Sequence, residues 1–156
     1  MLRRWYKTVP ENAVPGIDIV RIGVAVIILM HPLHGFYYYQ DVAPGFGGYL
    51  GSLGYPMGGV LAWLILITQT ACSLALIVNR WVVPACLGHI VIVTFGIIHF
   101  HRPHGWYVTG PGEHGMEWGF ILLVCLFGVL RAYWPPATDA RTSAGGIRPS
   151  NRPTQR

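Results

Sequence analysis

The residue types able to do chemistry in this chain are mostly histidines, and they are spread unevenly. His31 and His34 stand three apart, His99 and His101 two apart, and His104 and His114 follow in the next polar stretch beside Glu113 and Glu117. Side chains three apart share a helical face, which pairs His31 with His34, and His114 with Glu117 if a helix has begun by then. Imidazole and carboxylate groups on one face can pass a proton or hold a transition metal. His99 and His101 cannot share a helical face, which assigns one of them to a loop. Glu113 precedes Glu117 by four residues, a spacing at which two carboxylates repel. A carboxyl group that keeps its proton beside imidazoles can exchange it with a reduced quinol. His34, His99 and Glu117 are therefore the candidate catalytic residues, with Glu117 first.

Other readings of the same residues stay open. Histidines near a membrane surface also serve as plain hydrogen-bonding groups, and Glu117 at a helix start is favoured by the macrodipole alone. No zinc signature such as H-E-x-x-H occurs, and no metal site is assigned. A bis-histidine haem would need a mid-membrane partner for His89 on another helix, and the chain offers none. Neither intrinsic haem nor flavin is expected. Arg21, three residues after Asp18, pairs with it locally or turns into the protein toward an acidic group or a quinone carbonyl. Arg21, His31 and His114 are the candidate cofactor-binding residues on the second view.

The elements that must position these groups are membrane helices. Of 156 residues, 53% are hydrophobic and only 11% charged, against about 25% charged in ordinary soluble domains. A span needs about 20 mostly apolar residues. Four such runs are predicted, at about 17–36, 58–78, 82–100 and 116–134, the last stopped by Pro135-Pro136. The expected fold is an all-α integral membrane four-helix bundle over 17–136, between a short segment 1–16 and a disordered basic tail 137–156. Arg3, Arg4, Lys7, Arg80, Arg131 and Arg141 fall on one side, and the two loops opposite hold only Arg102. The positive-inside rule then makes both termini cytoplasmic in a bacterial-type inner membrane, with six of the seven histidines at the outer face. Trp5, Trp81, Tyr133 and Trp134 would form the inner aromatic belt, and Tyr37, Tyr38, Tyr39, Trp106 and Tyr107 the outer one.

The net charge of +5 sits mostly at the two ends, the distribution of a membrane protein and not of a nucleic-acid binder. Arg3-Arg4 is faintly like a twin-arginine signal, but the apolar run after it contains Arg21 and lacks a small-x-small cleavage site, so it is read as an uncleaved first span. Pro32 frees the carbonyl of Ile28 and should bend the first helix beside His31 and His34. Ala71 with Ala75, Gly58 with Ala62, and Gly115 with Gly119 are candidate contact faces, each pair four residues apart. Cys72, Cys86 and Cys125 all lie within spans, which argues against a quinone-coupled disulfide oxidase and makes them small apolar residues.

Several blocks resemble the DoxX family of small four-helix membrane proteins, over roughly Asp18 to Leu130. They are Arg21 with His34-Gly35, Leu53-Gly54-Tyr55-Pro56, Asn79-Arg80, His99-Phe100-His101-Arg102-Pro103-His104-Gly105-Trp106 and Gly115-Met116-Glu117. Gln69 stands where members often carry a glutamate, and Arg131-Ala132-Tyr133-Trp134 replaces a small-residue–aspartate ending. The resemblance implies a membrane subunit of a quinone-linked oxidoreductase system with sulfur or thiol chemistry, quinone as cofactor, and Arg21, His34, His99 and Glu117 at its site. The chain shows no electron carrier of its own, so a peripheral redox partner is expected, and homo-oligomerisation stays open. The rival readings are a non-enzymatic scaffold or assembly factor and a small-solute permease.

Overall fold

A computed structural model describes residues 15–109 and 114–134. The basic N-terminal residues, Glu113, the Pro135-Pro136 stop and the basic tail lie outside the described residues. The described chain forms five α-helices: α1 (Ile17–Tyr37), α2 (Tyr39–Ser52), α3 (Gly58–Ile77), α4 (Val82–Gly96) and α5 (Glu117–Tyr133). A π-helical turn, Ile97–His101, and a 3-10 turn, Arg102–His104, prolong α4. Helix α1, helix α3 and the run Val82–His104 are each long and apolar enough to cross a membrane, and the 17-residue α5 is a fourth helix packed with them.

Helices α1, α3, α4 and α5 form a closed ring in that order, α5 returning to α1. Ile19, Ile27, Leu64, Ile67, Val91, Ile121 and Val124 are exposed on its outside, where hydrocarbon is the fitting solvent. The α3–α4 connection is tight because Asn79 and Trp81 both take left-handed φ values, 57° and 56°. Trp81 and Trp134 are exposed at this end, as a belt requires, but Tyr133 is only 6% exposed and belongs to the core.

Packing is uneven along the bundle. The buried cluster, including Val24, Ile28, Leu76, Val82, Cys86, Leu126 and Val129, fills the half nearer the α3–α4 turn. All three cysteines are free, with Cys86 in this core and Cys72 and Cys125 against it. Among the described residues the other half has no comparable buried cluster.

The stretch between the first two spans, expected as a loop, holds α2. Its sequence YQDVAPGFGGYLGS is poor helix material. Packing against α3 sustains it. A Cβ on Gly47 would lie 2.8 Å from Gly59 Cα, and one on Gly58 would strike the Gly47 carbonyl, so the two backbones meet without side chains between them. Of the other small-residue pairs, Ala62 is fully buried and a Cβ on Gly119 would press on Ile97, whereas Ala71 is exposed and makes no contact face.

Candidate functional site

The less packed half contains a cavity of about 420 Å³, within the size range of small-molecule sites. Every helix contributes to its wall. His31 and His34 come from α1, Phe46 and Tyr49 from α2, Leu66 and Gln69 from α3, His99 and His101 from the π-turn, and Trp118 and Leu122 from α5. Ile28 and Gln69, near the midpoints of their helices, mark its deep end. Four imidazoles therefore border one mainly apolar space.

Local structure explains how each arrives. His31 and His34 are on the same face of α1, as their spacing predicts. Pro32 between them is buried, and its missing N–H leaves the Ile28 carbonyl without a helical donor at the cavity's deep end. Neither His99 nor His101 is in a loop: both belong to the π-turn and both reach the cavity, which a strictly α-helical continuation would not permit.

His99 is the most constrained of the four. Its ring lies 4.4 Å from that of Phe95, and its Nε2 is 3.1 Å from the Tyr55 hydroxyl. The Tyr49 hydroxyl donates to the His99 carbonyl at 2.5 Å. His101 donates from Nδ1 to the His114 carbonyl at 2.7 Å. The His31 and His34 side chains make no hydrogen bond among the described residues, although the His34 ring packs 4.9 Å from that of Tyr38. Their nitrogens are thus available to a guest, and His99 is positioned by tyrosines from outside its own helix. Tyr49, Tyr55 and Phe95 were absent from the sequence-derived site; only Tyr55, within the Leu-Gly-Tyr-Pro block, carried a signal that could have found it.

The remaining candidates stand elsewhere. Glu117 begins α5 and is half-buried, but it does not line the cavity, where its neighbours Trp118 and Gly119 do. His114 precedes α5 with a left-handed φ of 69°, so it shares no helical face with Glu117 and is exposed. Arg21 is farther still. Thirteen residues before His34 in α1, it is about 20 Å away along the axis. It is 4% exposed; Nε and Nη2 donate to Asp18 Oδ1 at 3.2 and 3.0 Å, and Nη1 donates to the carbonyls of Leu76 and Ile77. Tyr133 adds a hydroxyl donation to the same Asp18 oxygen at 3.2 Å. This knot gives the Ile77 carbonyl a donor, adds a charged one to the Leu76 carbonyl that already accepts from the Asn79 N–H at 3.2 Å, and ties α1, α3 and α5 together. Arg21 is thereby separated from the imidazoles it was expected to join.

His89 is fully buried in the bundle interior, its Nε2 3.2 Å from the equally buried Ser73 hydroxyl and its Nδ1 without a partner. Among the described residues no three His, Cys, Asp or Glu side chains are placed to hold one metal ion.

The DoxX family model matches residues 16–102, more than half of the chain. The matched stretch takes in α1 to the π-turn, hence all four cavity imidazoles, and ends before Glu117. No curated protein and no solved structure matches.

Proposed function

The chain belongs to the DoxX family, and from that membership we propose that it is a membrane subunit of a quinone-linked oxidoreductase system whose cavity receives the quinone ring. The observation that carries this reading is the arrangement of His31, His34, His99 and His101 around one apolar space of about 420 Å³. A quinone ring is flat and apolar with two carbonyl oxygens, so apolar walls accept the ring while imidazole N–H groups donate to the oxygens. Imidazole changes protonation near neutral pH and can take the two protons a quinol releases on oxidation. The two electrons would pass to or from a peripheral partner, with sulfur or thiol compounds as the substrate class the family suggests. Charge placement supports cytoplasmic termini in a bacterial-type inner membrane, which sets the cavity beneath the outer surface.

The test is to purify the protein with native lipid, quantify extracted quinone, and titrate a short-chain quinone while following tryptophan fluorescence, since Trp118 lines the cavity. Co-purified quinone, and saturable quenching weakened by His34→Ala and His99→Ala, is the expected result. No quinone, with no quenching, overturns it. One observation favours the scaffold reading: Tyr49 and Tyr55 both bond to His99 and so tie the α2 region to the π-turn. On that reading His99→Ala lowers thermal stability and the protein binds no quinone.

A further inference from the structure

Outside the cavity, the turn after α4 and the residues before α5 bring two histidines together at the surface. The His104 and His114 rings lie with centroids 5.7 Å apart and planes at 80°, both exposed beside Phe100. Three backbone bonds close the neck of this loop: Gly115 N–H to the Tyr107 carbonyl at 3.1 Å, Met116 to Gly105 at 3.0 Å, and Glu117 to Trp106 at 3.1 Å. The neck admits no side chain at Gly115, whose Cβ would run into the Trp106 and Tyr107 carbonyls. His114 is held beside it in a left-handed conformation, φ 69°, that non-glycine residues rarely adopt and that tends to mark functional positions.

Hydrogen bonding sets the tautomer. His104 donates from Nδ1 to the Phe100 carbonyl at 2.8 Å, so its Nε2 keeps the lone pair. Donation from the second ring nitrogen to a backbone carbonyl is the support that metal-ligating histidines usually have. His101 pins the partner residue by donating to the His114 carbonyl at 2.7 Å. With metal–nitrogen bonds of about 2.0–2.1 Å and roughly 1.1 Å more to the ring centre, two imidazoles on one ion have centres about 5–6 Å apart. The observed spacing of 5.7 Å lies in that interval.

We infer that His104 and His114 form a two-imidazole site for a first-row divalent cation, Cu²⁺ or Zn²⁺, with water completing the coordination. Imidazole suits these ions, and Cu²⁺ binds the more tightly of the two. The inference is independent of the quinone reading, because neither histidine lines the cavity.

The test titrates the full chain in detergent with Cu²⁺, and separately with Zn²⁺, by calorimetry, and records the Cu²⁺ electron paramagnetic resonance spectrum. One ion per chain with two imidazole nitrogens is expected. His104→Ala and His114→Ala should each weaken binding at least about tenfold, and His101→Ala, which keeps both proposed ligands but removes the pin, by about tenfold. His31→Ala should leave binding intact. Binding unchanged in both the His104 and His114 variants overturns the proposal, as does equal loss in His31→Ala, which would put the ion in the cavity. All four variants are checked for an unaltered elution profile, and Gly115→Ala, which keeps both imidazoles but displaces His114, should reproduce the loss.

Discussion

Tyr49 and His99, fifty residues apart, are joined by a hydroxyl-to-carbonyl hydrogen bond of 2.5 Å. It fastens α2 to the π-turn at a carbonyl near a helix end, where the regular donor is lacking. Tyr49→Phe removes it while preserving the ring. The expected cost is about 1 kcal/mol, read as a lower unfolding temperature in detergent, with weaker binding of any cavity ligand. An unchanged temperature would mean that α2 is held by its glycine contacts alone.

Those contacts yield a sharper prediction. Gly58→Ala places a methyl group against the Gly47 carbonyl, and backbone on backbone leaves no rotamer to relieve it. Helix α2 must move, taking Phe46 and Tyr49 out of the cavity wall. Cavity binding should fall by more than in Gly59→Ala, where a Cβ meets nothing within 4 Å. Equal behaviour of the two variants would contradict the packing described.

Arg21 is expected to act on stability and not on the cavity. Arg21→Leu leaves the Leu76 and Ile77 carbonyls without their charged donor and should cost about 1.5–3 kcal/mol. Arg21→Lys keeps the charge but not the planar fork and should recover only part of the loss. Quinone affinity of the folded fraction should be unaltered; a selective loss of affinity would place Arg21 in the site after all.

Ser73 and His89 allow a double-mutant cycle inside the bundle. Ser73→Ala removes one interhelical hydrogen bond, worth about 0.6 kcal/mol on average in membranes. Replacing both partners by apolar groups, Ser73→Ala with His89→Leu, should cost less than the two single changes summed. Additive losses would show that the pair is not coupled.

Glu117→Gln separates two views of the histidine end. Because Glu117 does not line the cavity, quinone titrations of this variant should overlay those of the parent chain. A clear shift in affinity would bring its carboxyl group into the site.

How much of this was legible beforehand follows from which properties are local. Three of the four expected spans were readable because membrane crossing depends on the length and polarity of one stretch of chain, and the fourth run is present as helix α5; all four helices begin and end within a few residues of the apolar runs. The His31–His34 pair was readable for the same reason, since helical spacing alone sets it. Helix α2 was not: proline and four glycines disfavour it, and only contacts with other segments, its backbone against α3 and Tyr49 against the π-turn, compensate. Nor was the π-turn, which breaks the 3.6-residue period from which the placement of His99 and His101 was argued. Whether Arg21 paired with Asp18 or turned inward, and which histidines shared a space with which, depended on how each helix is rotated about its axis. That rotation is decided where small residues let helices approach and where side chains such as Arg21 satisfy distant carbonyls, contacts between segments tens of residues apart that no local pattern records.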